Sequence, residues 1–334
     1  MAFSIQDTLK QSHDAVPFSK QQITDMLALP PDSVESYAIM AEAKRISKSL
    51  TQDRAEVHGQ FAINLSPCPK NCKFCSFAVC NGIFKKASQL SPEEVVEHAT
   101  MLESQGVNAI YIMATANYPF GKFCEAVQET RAQLKPETML IGNVSDQELD
   151  GAQKLADAGL NGVYHALRLR EGIDTGLQPE ARKNSIRSFK DAGLVVGTCV
   201  EPVGPEHSNE ELAEMILFTA SFDPAFSGAA RRIEVPGTEI AARGMISELR
   251  MAQIVAVTRL AMPRSVTGNC THEPYSLGAA AGANLFWAEL GANPRDIKEH
   301  TEEGRGFTTG KCSELFRDAD CGILKGPSQF FRKH

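Results

Sequence analysis

Cys68, Cys72 and Cys75 put three thiols into the run Cys68-Pro69-Lys70-Asn71-Cys72-Lys73-Phe74-Cys75. Three thiolates at this spacing can hold three irons of a [4Fe–4S] cluster. The fourth iron then lacks a protein ligand and is open to a small molecule, which turns an electron carrier into a reaction centre. Zinc competes for the same residues. Structural zinc takes four ligands, usually as two close pairs; Cys80 is near enough to be a fourth, whereas His98 lies far along. A disulfide framework fits poorly, because nine cysteines is an odd number in a chain of 334 residues that needs no staples. Plain buried thiols suit Cys124, in the helical stretch Phe123-Cys124-Glu125-Ala126-Val127. They suit the three-cysteine run badly, because Pro67, Pro69 and Asn71 make that segment a loop.

The elements around the loop decide where it sits. Phe61-Ala62-Ile63-Asn64-Leu65 reads as a buried strand, so the cysteines follow a strand's carboxyl end. Three segments share one pattern: Leu102 to Ile112, Leu155 to His165, and Phe189 to Gly197. Each is the end of an amphipathic helix, a glycine stop (Gly106, Gly159, Gly193) and an apolar strand. Helices alternating with buried strands mean parallel βα units. Strands are expected near 61–65, 109–114, 138–142, 162–166, 195–201, 231–235, 265–268 and 283–288. Ser91-Pro92, Ser145-Asp146 and Ser208-Asn209 are expected to open helices. The fold class is α/β. A count near eight favours a closed (β/α)8 barrel of the TIM type over a doubly wound open sheet. In such a barrel the chemistry sits at the strands' carboxyl ends. Residues 1–55 read as an N-terminal helical extension with a break at Pro30-Pro31, 56–298 as the barrel, and 299–334 as a tail over its mouth.

Net charge is −7, which implies no basic face for nucleic acid. Nowhere do 18 apolar residues run together, so no membrane span is expected. Free cysteines without an apolar leader point to a reducing cytoplasm.

The cysteine motif in its strand context resembles the radical S-adenosylmethionine (radical SAM) superfamily. Leu155-Ala156-Asp157-Ala158-Gly159-Leu160, the strand leading to His165, Pro236-Gly237-Thr238, Met262-Pro263 and Ala281-Gly282-Ala283-Asn284 are similar to its biotin synthase branch. That branch includes the hydrogenase maturase HydE, methylornithine synthase and archaeal lipoyl-forming pairs. The resemblance implies that Cys68, Cys72 and Cys75 ligate a [4Fe–4S] cluster. SAM would bind the open iron and be cleaved to a 5′-deoxyadenosyl radical that abstracts hydrogen from carbon. Phe74 would lie near the adenine, and Ala114, Thr115 and Asn117 near the methionine amino group. Arg168, Arg170 and Glu171 would take the carboxylate and ribose, and Val203 and Gly204 would meet the adenine through backbone groups. A one-electron donor such as flavodoxin or ferredoxin is implied. The substrate would be a small molecule, or an acyl chain on a carrier protein with a second radical SAM subunit sharing the work.

The chain departs from biotin synthases in one respect. Their second, [2Fe–2S] cluster is held at places where this chain has Ile112, Met139, Gly197 and about Thr267, with Cys199 two residues off one of them. That cluster cannot be built here. Cys270, at a strand end, together with Cys312 and Cys321 in the tail, is expected instead to hold an auxiliary [4Fe–4S] cluster donating sulfur to carbon. The alternative packs Cys312 with Leu315 and Phe316 on a helix face and makes Cys270 a barrel filler. The function would then be radical isomerisation or cofactor maturation without sulfur donation.

Overall fold

Parallel strands alternate with helices from residue 54 onward in the computed structural model, which describes residues 3–65 and 67–332. The barrel strands are β1 (Arg54–Ala62), β2 (Ala109–Met113), β3 (Met139–Asn143), β4 (Gly162–Tyr164), β5 (Val195–Gly197), β6 (Val200–Val203), β7 (Phe226–Arg231), β8 (Gly268–Cys270) and β9 (Leu285–Leu290). They pair in the order β5-β4-β3-β2-β1-β9-β8-β7-β6, all parallel. Strands β5 and β6 are one run broken at Thr198 and Cys199. Ala225 N donates to Val196 O at 2.8 Å and Thr198 N to Phe226 O at 3.2 Å, so the sheet curls back on itself at this seam. The expected TIM-type architecture is present.

Helices cover the outside: α1 (Ile5–His13), α2 (Lys20–Ala28), α3 (Val34–Thr51), α4 (Pro92–Ser104), α5 (Phe120–Gln133), α6 (Leu149–Asp157), α7 (Pro179–Asp191), α8 (Asn209–Ala220), α9 (Glu248–Ala261), α10 (Ser276–Ala280) and α11 (Thr309–Asp318). Ser91 and Ser208 cap α4 and α8 through reciprocal bonds with Glu94 and Glu211. Ser145 does not cap α6, which starts behind Glu148; Asp146 is drawn instead to His165 and Arg182. Gly106, Gly159 and Gly193 stop their helices at φ 78°, 105° and 76°, as their spacing predicts. The N-terminal extension flanks the barrel: Ile23, Met26, Ile39 and Ala43 share a core with Ile254 and Val255 of α9.

Side chains alternate across each strand. Ile110, Ile112, Leu140 and Val163 face outward under Phe123, Leu155 and Phe189. Tyr111, Ile141, Tyr164, Phe226 and Trp287 fill the lumen. Three strands differ from expectation, β8 by starting at Gly268 where 265–268 was expected. Strand β1 begins at Arg54 rather than Phe61, and β7 spans Phe226–Arg231 rather than 231–235. In β1 the inward positions are polar: His58 bonds Glu56 at 2.8 Å and Tyr111 at 2.9 Å, and Gln60 bonds Glu289 at 2.9 Å.

The C-terminal segment divides. Residues 291–307 cross the mouth, where Pro294 O accepts from Ser76 N and Phe307 O from Glu289 N. Helix α11 then packs outside, with Phe316 stacked on Phe286 at 3.9 Å between ring centroids. Beyond it, Gly322–Ile323 pairs with the start of β1, and Phe330 and Phe331 enter the lumen cluster. This last stretch was expected over the mouth; it closes the opposite end. No helix among the described residues is long and apolar enough to cross a membrane.

Candidate active site

The motif loop leaves β1 at the mouth and is fixed by backbone bonds on several sides. Cys68 N donates to Phe77 O, Val79 N to Cys68 O, and Ser76 N to Pro294 O. Lys73 N donates to Asp174 O and Gly176 N to Lys70 O, which ties the loop to the segment after β4. Asn81 Nδ2 donates to Cys75 O at 2.8 Å and Cys72 O at 3.3 Å. Asn71 takes φ 49°, a left-handed conformation that asparagine tolerates.

These bonds aim three half-buried thiols at shared space. Cys68, Cys72 and Cys75 border one cavity together with Ala114, Thr115, Leu177 and Arg182. Cys72 and Cys75 also border a second, of about 900 Å³ including its open mouth, whose other walls include Phe74, Tyr111, Tyr164 and Trp287. The two spaces meet at Cys72, Cys75, Met113, Asn143, Arg168 and Pro294. Burial pushes the Cys72 thiol up to about 11, with the Arg168 charge pulling it back. Burial and the neighbouring Cys72 push Cys75 up to about 12. As free thiols both stay protonated at neutral pH, so a bound metal must displace their protons.

Arg168 stands between the two spaces. Its guanidinium makes no hydrogen bond among the described residues; Glu201 Oε1 and Glu171 Oε2 lie 3.7 and 4.0 Å away. Glu171 is buried and fixes the local turn, accepting from Arg168 N at 2.9 Å and from Thr175 Oγ1 at 2.6 Å. Thr115 is held by Asn64, whose Nδ2 donates to Thr115 Oγ1 at 2.7 Å. Behind Arg168, Arg182 donates to Asp146 at 3.0 Å and to the buried His165 at 2.8 Å. Burial and the Arg182 charge hold His165 down at about 3, so it is neutral.

Cys68, Cys72, Cys75, Phe74, Ala114, Thr115 and Arg168 therefore share the site. Five expected residues do not line it, and Glu171, held within its turn, is the first. Asn117 is exposed and, among the described residues, donates only to Pro67 O, at 3.4 Å. Arg170, at φ 54°, turns away to Glu211 at 2.9 Å. Val203 packs in the outer core, and its carbonyl accepts from Arg232 N. Gly204 N donates to His207 Nδ1 at 2.9 Å. The last two have spent their backbone groups within the fold.

The auxiliary cluster needs correction. Cys270 lies in the lumen, its Sγ 3.5 Å from Cys199 Sγ. Cys312 is on the outer layer, with Ala43 and Phe316 in its cluster and Sγ donating to Trp287 O at 3.3 Å. Cys321 contacts Lys44 and Ala319. The barrel wall separates the first from the other two, so they cannot hold one cluster. Sequence reasoning missed Tyr111, Tyr164, Glu201, Arg231 and Arg295 as cavity walls. For the first four the signal was position alone, on a strand; Arg295 lies in the segment that crosses the mouth.

The profile of the radical SAM superfamily matches residues 66–219. A biotin synthase of Prochlorococcus marinus subsp. pastoris is 23% identical over 303 residues, covering 85% of this chain and 88% of its own. One of Desulforudis audaxviator is 26% identical over 288 residues, with coverages of 82% and 86%. Among solved structures, methylornithine synthase superposes at a TM-score of 0.79 with 16% identity, over 95% of this chain and 97% of its own. The FeFe-hydrogenase maturase HydG from Carboxydothermus hydrogenoformans also gives 0.79, with 17% identity and coverages of 98% and 81%. At these identities the structural likeness speaks for the fold.

Proposed function

We propose that the chain is a radical SAM enzyme of the biotin synthase-like branch, and that it abstracts hydrogen from a small polar substrate in the barrel cavity, without donating sulfur. The observation that carries this reading is the continuity of the two spaces at Cys72, Cys75 and Arg168. The donor set suits the cofactors: three thiols on one rim are iron ligands, and an arginine fork without a hydrogen-bond partner suits a carboxylate. A [4Fe–4S] cluster on Cys68, Cys72 and Cys75, with SAM bound, would supply the 5′-deoxyadenosyl radical.

The chain's own residues bind, orient and shield. Arg168 holds the SAM carboxylate, and Glu171 fixes the turn that aims it. Asn64 sets Thr115 at the end of β2 for the amino group. Phe74 gives the apolar wall next to Cys75. Tyr111, Tyr164 and Trp287 exclude water from the floor, which protects a radical from quenching. Gln60, Glu201, Asn293 and Arg231 offer donors and acceptors around the cavity, which suits a zwitterion or a carboxylic acid. A flavodoxin or ferredoxin would deliver the electron.

A second reading, carbon–sulfur bond formation of the biotin or lipoyl type, is favoured by the names of the biotin synthase relatives. It would bring a carrier-bound acyl substrate, or a second radical SAM subunit, to the same mouth. Iron counting separates the two. After anaerobic reconstitution, about 4 Fe with matching acid-labile sulfide per chain are expected, and none in a Cys68→Ala/Cys72→Ala/Cys75→Ala variant. About 8 Fe, with about 4 left in the variant, would replace the first reading with the second. Zinc in place of iron at these cysteines would sink both.

A further inference from the structure

We propose that Cys199, Cys270 and His272 form a second metal site, holding a single zinc-class divalent ion inside the barrel. Cys199 stands in the break between β5 and β6, Cys270 ends β8, and His272 follows it. All three are buried, and one ligand atom from each lies within 4.8 Å of the others. The two sulfurs are 3.5 Å apart, close to the roughly 3.8 Å that two thiolates adopt on tetrahedral zinc. None of the three is among the expected ligands of the motif cluster.

Two orphaned atoms point to a ligand here. His272 Nε2 is buried with no hydrogen-bond partner among the described residues, and so is the hydroxyl of Tyr164. The Tyr164 ring packs on His272 at 5.3 Å between centroids. The other imidazole nitrogen, Nδ1, lies 3.4 Å from Glu201 Oε2. A carboxylate behind an imidazole is the usual support of a metal-bound histidine, fixing its tautomer and orientation. An ion on Nε2 resolves the first orphan, and a donor atom in its fourth position gives the Tyr164 hydroxyl a partner.

The chemistry selects the ion. Two thiolates and a neutral imidazole are a soft donor set, found on zinc sites that keep an open fourth position. Binding displaces one proton each from Cys199 and Cys270 to solvent. Two thiolates then neutralise the divalent charge, so the loaded site brings no net charge into the lumen. His272 and Glu201 border the large cavity. The open position thus suits a substrate thiolate, carboxylate or hydroxide entering from that side.

Zinc K-edge X-ray absorption tests this on the full chain, reconstituted anaerobically with its iron and given one equivalent of Zn²⁺. The edge is element-specific, so cluster iron does not interfere. The wild type is expected to show two sulfurs at about 2.3 Å and one imidazole nitrogen at about 2.0 Å. Cys199→Ala and Cys270→Ala should each lose one sulfur, and His272→Gln the nitrogen, with circular dichroism confirming the fold. A shell of oxygen and nitrogen alone in the wild type overturns the proposal without recourse to any variant. So does a Cys199–Cys270 disulfide in the anaerobic chain by mass spectrometry, or a sulfur shell that survives both alanine changes.

Discussion

The guanidinium of Arg168 faces the cavity with two carboxylates near it and no hydrogen bond to either. Replacing it by glutamine leaves Glu171 bonded to the backbone at residue 168 and removes only the charged fork. A hydrogen bond to a charged group contributes about 1.5–3 kcal/mol, so Arg168→Gln should weaken SAM binding by roughly 10- to 150-fold. Equilibrium dialysis on the reconstituted protein measures this, with iron content as the control. An unchanged Kd would remove Arg168 from the SAM site. Arg168 was legible because it falls just past a strand's carboxyl end. Arg170 has the same sequence warrant and fails, because a left-handed turn at that residue sends it to Glu211. His272 and Tyr164 gave little sign in the sequence. A single histidine or tyrosine on a strand says nothing about which ring it will meet across a barrel.

At the scale of elements, glycine stops and serine caps were read correctly where the local bonds are the whole cause. Ser145 misled because Asp146 has a tertiary partner in Arg182 that a local pattern does not reveal. The first strand was placed late because its inward positions, Glu56, His58 and Gln60, are polar and satisfied by one another and by Tyr111, Glu289 and Gln329. The motif loop is the element on which activity depends, and Asn81 is its clasp. Its amide donates to the carbonyls of both Cys72 and Cys75. Asn81→Ala removes both bonds, at a cost of about 1–3 kcal/mol to the loop conformation. Iron release to a chelator should then run several-fold faster than in wild type, while the melting temperature of the cluster-free chain hardly moves. Equal release rates would show that the backbone bonds to Phe77 and Pro294 hold the loop alone.

For the whole molecule, the barrel is finished at its two ends by one C-terminal segment. The mouth is crossed by residues 291–307, where Arg295 and Arg305 bind Glu273 and Glu289. The other end is closed by Phe330 and Phe331. Both rings lie 6.2 Å from His58 between centroids, and Phe331 lies 5.9 Å from Phe226. Gln329 N and Ser328 N complete the closure by donating to Glu56 Oε1 and Asn108 O at 2.7 Å. The sequence did not disclose this plug, because two phenylalanines near a terminus carry no address until the open end of the barrel is built. The plug gives stability and chemistry separate locations. Phe331→Ala opens a cavity among aromatic rings and should destabilise the chain by about 3–5 kcal/mol. Because the plug lies at the far end from Cys68, Cys72, Cys75 and Arg168, SAM affinity of the folded fraction should stay within about twofold, less than 0.5 kcal/mol. Denaturant unfolding and equilibrium dialysis on the same preparation read the two quantities. A large loss of SAM affinity at unchanged stability would mean that the two ends of the barrel are coupled through the lumen.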